Sequence, residues 1–94
     1  MGKVIKPNGD EFEVTPINNN DFSLDELQDL VDGYIECLYF KDDSGRIIVI
    51  NEEGKLNGLH YNPIATVIAI QQCLIGIGDY IVGNALICEP GEIL

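Results

Sequence analysis

The segment Gly58-Leu59-His60-Tyr61-Asn62-Pro63-Ile64-Ala65-Thr66 gathers the residues best suited to hold a ligand, including the only histidine of the chain. Asn-Pro marks a helix start: Asn caps the first turn, and Pro takes the first helical position, where no N–H is needed. A helix start exposes backbone N–H groups and the positive end of the helix dipole, a setting that attracts anions. Lys55 lies just upstream, and Arg46 can approach from a neighbouring strand. His60, Tyr61, Asn62, Thr66, Lys55 and Arg46 therefore form a candidate binding set for a phosphate or ribose-phosphate, with a base stacked on Tyr61. The plainer reading leaves His60 and Tyr61 as loop residues and Asn62 as a cap alone.

Other constellations are weaker. Asp25, Asp29, Asp32 and Glu36 recur at helical steps with no base between them, so they predict one stripe of carboxylates. Such a row could imitate a phosphate strand, or be the solvated face of an amphipathic helix. Gly76-Ile77-Gly78-Asp79-Tyr80 lacks the strand-to-helix setting of a dinucleotide fingerprint and reads as a loop. Cys37, Cys73 and Cys88 are widely spaced, form no CxxC, and with one histidine make no local zinc set. Asp42-Asp43-Ser44-Gly45 lacks calcium-loop spacing. No GxSxG or Cys–His arrangement suggests a nucleophile. The expectation is a protein without catalytic residues, metal or cofactor.

Charge narrows the partners. Sixteen acids against five bases give a net charge of −11 over 94 residues, with no Lys/Arg cluster. Direct nucleic-acid binding through a basic footprint is excluded, and an anionic membrane surface is disfavoured. Of that charge, −9 falls in residues 1–53. Apolar residues make up 46% of the chain, too many for an acidic disordered tail. Met1-Gly2-Lys3-Val4-Ile5-Lys6 has no apolar signal core, and the Ser/Thr of a myristoylation signal is replaced by Lys6. The apolar stretch from Ile64 to Ile77 is too short for a membrane span and contains Gln71 and Gln72. Buried cysteines and a reducing cytoplasm fit together.

The elements that must position these residues follow from local signals. Lys3 to Lys6 and Glu11 to Thr15 read as strands around a Pro7-Asn8-Gly9-Asp10 turn. Ser23-Leu24-Asp25-Glu26 is a capping box, and apolar spacing predicts a helix from Leu24 to about Asp32, closed by Gly33 in a left-handed conformation. Tyr34 to Phe40 and Arg46 to Asn51 predict a hairpin. Ile47 to Ile50 are apolar in succession, which implies cover on both faces of that strand. Asn62-Pro63 starts a second helix that runs to Leu74 or Ile75, with Gly76 and Gly78 as its stop. Tyr80 to Cys88 reads as a last strand, interrupted at Gly83-Asn84 by a bulge or a close backbone approach. The prediction is a single α+β domain spanning residues 1–94, of order ββαββαβ, with an antiparallel or mixed sheet and two helices on one face.

Several short motifs follow one another in order: Val4-Ile5-Lys6-Pro7-Asn8-Gly9, Phe22-Ser23-Leu24-Asp25-Glu26-Leu27-Gln28, Val31-Asp32-Gly33-Tyr34-Ile35-Glu36, Ile50-Asn51-Glu52-Glu53-Gly54-Lys55-Leu56, Asn62-Pro63-Ile64-Ala65-Thr66 and Ile81-Val82-Gly83-Asn84-Ala85-Leu86. With this series the chain resembles a small domain-of-unknown-function family common in bacteriophages and mobile elements. The resemblance spans nearly the whole chain and implies one compact α+β domain; it carries over no catalytic or binding residue. Together with the missing catalytic sets and the helix-start constellation, it implies an anti-defence protein that sequesters a small nucleotide-derived signal in a host cytoplasm. The alternatives are an acidic inhibitor of a host defence protein, of the DNA-mimic type, and a structural or regulatory interaction domain. From Pro63 to Cys88 only Asp79 is charged, so a homo-oligomer is expected, burying part of the second helix or the last strand.

Overall fold

A computed structural model describes residues 1–93. The chain forms β1 (Gly2–Ile5), β2 (Glu11–Val14), α1 (Leu24–Val31), β3 (Ile35–Tyr39), β4 (Ile47–Asn51), α2 (Pro63–Gln71) and β5 (Ala85–Cys88). The order is the ββαββαβ read from the sequence. The five strands make one sheet in the order β2-β1-β5-β4-β3, and every neighbouring pair is antiparallel. Two hairpins, β1–β2 and β3–β4, thus stand side by side with the last strand between them. Lys3 pairs with Ile87 on one side of β5, and Ile47 pairs with Cys88 on the other.

The helices lie on opposite faces, contrary to the single helical face expected from the sequence. On one face, Leu27 and Val31 of α1 pack with Val4, Val49, Leu86 and Cys88. On the other, Ala65 and Ala69 of α2 pack with Ile5, Ile48, Ile50, Ala85 and Ile87. Side chains alternate along a strand, so consecutive residues of β4 and β5 enter opposite cores. The unbroken apolar runs of these strands are the signature of a sheet covered on both sides, and a one-sided helical layer would have left half of each run in water.

α1 begins as its capping box predicts. Ser23 Oγ accepts from Glu26 N at 3.2 Å, and Glu26 Oε1 accepts from Ser23 N at 2.9 Å. Its end differs from expectation: Asp32, not Gly33, adopts the left-handed conformation (φ 64°). Gly33 is needed for another reason. A Cβ there would sit 2.8 Å from Asn51 Nδ2. That amide donates to Val31 O at 3.0 Å and Asp32 O at 3.2 Å, so the end of β4 caps the C-terminus of α1.

α2 begins at Asn62-Pro63 but ends at Gln71, ahead of the glycines expected to stop it. Cys73 turns left-handed (φ 58°), and Leu74 N returns to Ala69 O at 2.8 Å. The expected strand from Tyr80 keeps only its second half. Val82 instead makes an isolated antiparallel bridge with Tyr61. Gly83 (φ 76°) marks the interruption, and a Cβ there would lie 2.7 Å from Leu59 Cδ1, a close approach as expected. No helix among the described residues is long and apolar enough to cross a membrane.

Candidate functional site

The structure disperses the six residues expected to bind a ligand. Asn62 is fully buried. Its Nδ2 donates to Ile5 O at 2.9 Å and Gly83 O at 2.8 Å, while Oδ1 accepts from Ala65 N at 3.1 Å. Thr66 is also buried; its Oγ1 donates to Asn62 O at 2.7 Å and accepts from Ile81 N at 2.8 Å. These two side chains tie the start of α2 to the end of β1 and to the segment before β5. Their hydrogen-bonding capacity is directed into the fold, which removes both from the expected binding set.

The helix start is closed to anions for the same reason. Pro63 has no N–H, Ala65 N is held by Asn62 Oδ1, and Thr66 N by Asn62 O. Ile64 supplies the only remaining N–H among the first four helical residues, too little for an anion nest.

Arg46 lies at the opposite end of β4 from Lys55. The intervening strand, Ile47–Asn51, measures about 14 Å at the usual rise per residue. Arg46 instead stacks on Phe40, with its guanidinium carbon 4.9 Å from the ring centroid, and meets Asp42 at 3.4 Å. His60 is exposed and borders a hollow of about 290 Å³ together with Lys6, Asn8, Asp32 and Asn84. Lys6 is therefore the cation near His60, brought there by the end of β1 and not visible from its place in the sequence.

Lys55 and Tyr61 belong to another cluster. Lys55 Nζ forms an ion pair with Asp79 Oδ1 and lies 4.3 Å from the centroid of the Tyr80 ring. Tyr80 meets Tyr61 edge to face at 6.0 Å between centroids. The hydrogen bond to Asp79 raises the Lys55 pKa, with further contributions from the charges of Asp79, Tyr80 and Glu36. The same bond lowers the Asp79 pKa, helped by Tyr80 N. The ammonium is thus paired with a carboxylate and sits beside an aromatic ring, while both charged side chains stay about half exposed.

This cluster borders a groove of about 640 Å³ on the α2 face. Its floor is apolar, built by Leu38 of β3, Ile50 of β4, and Leu74 and Ile81 from the segment after α2. Its rim carries Glu36, Glu52, Glu53 and Asp79, with Lys55 as the one cation. Glu36 comes from β3, while Glu52 and Glu53 follow β4 directly. Among the described residues none of these three glutamates has a salt-bridge partner within 4.0 Å. An apolar floor with an acidic rim is chemically better suited to a cation attached to an apolar body than to a phosphate.

The stripe of four acids expected along the first helix is not continuous. Asp25 and Asp29 stand exposed on α1, but Asp32 lies at its left-handed end. Glu36 sits on β3 and lines the groove on the face opposite α1. The sequence reading missed the groove acids, although the Glu52-Glu53 pair at the end of an apolar strand was a visible signal. No group of three or more His, Cys, Asp or Glu among the described residues is placed to hold a metal ion.

Comparison with curated proteins and with solved structures finds no match. The family model described as Domain of unknown function (DUF3846) matches residues 2–93, and the chain belongs to that family.

Proposed function

We propose that this domain is a non-catalytic binding module whose acidic groove takes a basic segment of a partner protein. The observation that carries this reading is the combination of Glu36, Glu52 and Glu53, none with an ion-pair partner among the described residues, with the apolar floor and with Lys55 paired to Asp79. A cation entering the groove meets carboxylates from β3 and from the turn that follows β4. A phosphate entering it meets repulsion. In the phage or mobile-element setting that the resemblance implies, the reading corresponds to an acidic inhibitor of a host defence protein. It needs no regular phosphate mimicry, which the broken α1 stripe would supply poorly. Sequestration of a nucleotide signal draws its remaining support from Lys6 and His60 beside the smaller hollow.

The test is a calorimetric titration with an acetylated and amidated peptide of alternating lysine and valine. Binding should weaken about tenfold or more as salt rises from low to near-molar concentration, because exposed charges are screened. The combined variant Glu36→Gln, Glu52→Gln and Glu53→Gln should lose it. Equal binding by that variant would remove the groove from the account.

A further inference from the structure

The acidic groove ends at β3, and β3 is an edge strand that pairs only with β4. Two backbone bonds set which groups of β3 face outward. Glu52 N donates to Tyr34 O at 2.8 Å, and Phe40 N donates to Arg46 O at 3.0 Å. Between them the register runs without a bulge from Ile35↔Asn51 to Tyr39↔Ile47. Hydrogen-bonded and non-bonded pairs alternate in an antiparallel ladder. Tyr34, Glu36, Leu38 and Phe40 therefore bond to β4, while Ile35, Cys37 and Tyr39 turn their N–H and C=O groups to the open side.

Such an edge is a template for another strand unless it is blunted by lysine, proline, a bulge or a covering segment. The residues of β3, Ile-Glu-Cys-Leu-Tyr, include no lysine, proline or bulge; their one charge is Glu36, which disfavours an acidic or like-charged strand and leaves the edge open to a cationic one. Its alternate side chains already belong to two environments. Glu36 and Leu38 line the acidic groove. Ile35 and Cys37 pack toward the α1 core, and Tyr39 on that side is largely exposed.

A strand added outside β3 would lie about 4.8 Å away and send alternate side chains to the same two faces. Residues on the α2 side would stand beside Glu36, at the mouth of a groove rimmed by Glu52 and Glu53. Residues on the other side would lie against Ile35, Cys37 and Tyr39. Cations suit the first set and apolar groups the second. A second copy of β3 would instead bring another Glu36 to an edge that offers it no cation. We propose that the open edge of β3 receives an extended segment of a basic partner, alternating cationic and apolar residues, as a sixth strand of the sheet. This inference rests on the groove reading above and specifies its binding mode, recognition by strand addition.

The experiment is residue-resolved amide hydrogen exchange on the whole chain, alone and saturated with the lysine–valine peptide. Exchange at Ile35, Cys37 and Tyr39 should slow by about tenfold or more, with little change at Glu36 and Leu38, whose N–H groups are already used. Peptide binding that shifts the signals of Leu38 and Tyr80 but leaves those three exchange rates unchanged would overturn strand addition and leave the groove reading standing. Absence of any binding would overturn both. Protection of the three amides without peptide, rising with protein concentration, would show self-pairing of β3 and also overturn the proposal.

Discussion

Replacing Asn62 with aspartate separates a helix cap from a hub of the fold. Aspartate caps a helix as well as asparagine does, so Asn62→Asp preserves the acceptor used by Ala65 N. It removes the donors to Ile5 O at 2.9 Å and Gly83 O at 2.8 Å, and turns an oxygen toward two carbonyl oxygens. A buried polar group left without its partner costs about 1–3 kcal/mol. Two such groups, with some relaxation, give a loss of about 3–5 kcal/mol, a large share of the roughly 5–15 kcal/mol of a typical domain. For a chain of this size that lowers Tm by about 12 °C or more. Asn62→Ala should cost a similar amount, because it loses the cap as well. Burial should raise the introduced carboxyl's folded pKa above its unfolded value of about 3.9. The loss should therefore shrink below that pH and grow as pH rises through the folded pKa. The assay is urea unfolding followed by circular dichroism, with a check that the slope is unchanged. If Asn62→Asp stays within about 0.5 kcal/mol of the parent while Asn62→Ala loses about 1 kcal/mol, Asn62 is only a cap and the hub assignment is wrong.

Other consequences follow from the same contacts. The Glu26 carboxylate has a lowered pKa, first through Ser23 N and then Ile17 N. Asp42 is lowered by Ser44, and Asp79 by Lys55. A folded pKa below the unfolded value stabilises at neutral pH and is lost as pH falls through the folded pKa. The urea midpoint should thus drop from about pH 4.5 downward, and Glu26→Gln, which keeps a capping-box residue, should flatten that limb; an unchanged acid limb would count against the Glu26 contribution. Among the thiols, Cys73 is exposed while Cys88 is buried, and burial, followed by Glu92, pushes its pKa up to about 12. A disulfide reagent at mildly alkaline pH should label Cys73 rapidly and Cys88 only after unfolding; simultaneous labelling of both in the native protein would contradict the packing. α2 contains no charged residue and exposes Val67, so self-association of this acidic chain is expected there and not through the central β5. Sedimentation velocity should show a species larger than a monomer that Val67→Glu dissociates; a strict monomer at micromolar concentration would sink this expectation.

The features legible in the sequence are those whose causes are local. The capping box of α1 links residues three apart, and the Asn-Pro start of α2 needs only its first turn. The run Ile47 to Ile50 signals two covered faces, and it should have outweighed the expectation that both helices share one. Strand order was not legible, because β5 is placed by pairing with β1 and β4 from distant parts of the chain. Asn62 shows the same division. Its cap spans three residues, but its bond to Ile5 O spans 57, and that distant bond changes it from a candidate ligand residue to part of the core. The groove was hidden likewise: Glu36 and Glu52 become neighbours of one cavity only through the β3–β4 pairing and the segment after α2 that supplies the opposite wall.

The most direct test of the central claim is a pair of residue-resolved NMR titrations on the same sample, one with the lysine–valine peptide and one with a cyclic nucleotide and ADP-ribose. The peptide should shift Glu36, Leu38 and Tyr80 in a saturable, salt-sensitive way while the nucleotides leave the groove unperturbed. Saturable nucleotide shifts at Lys6, His60 or Lys55, with no response to the peptide, would contradict it and restore the anion-binding reading.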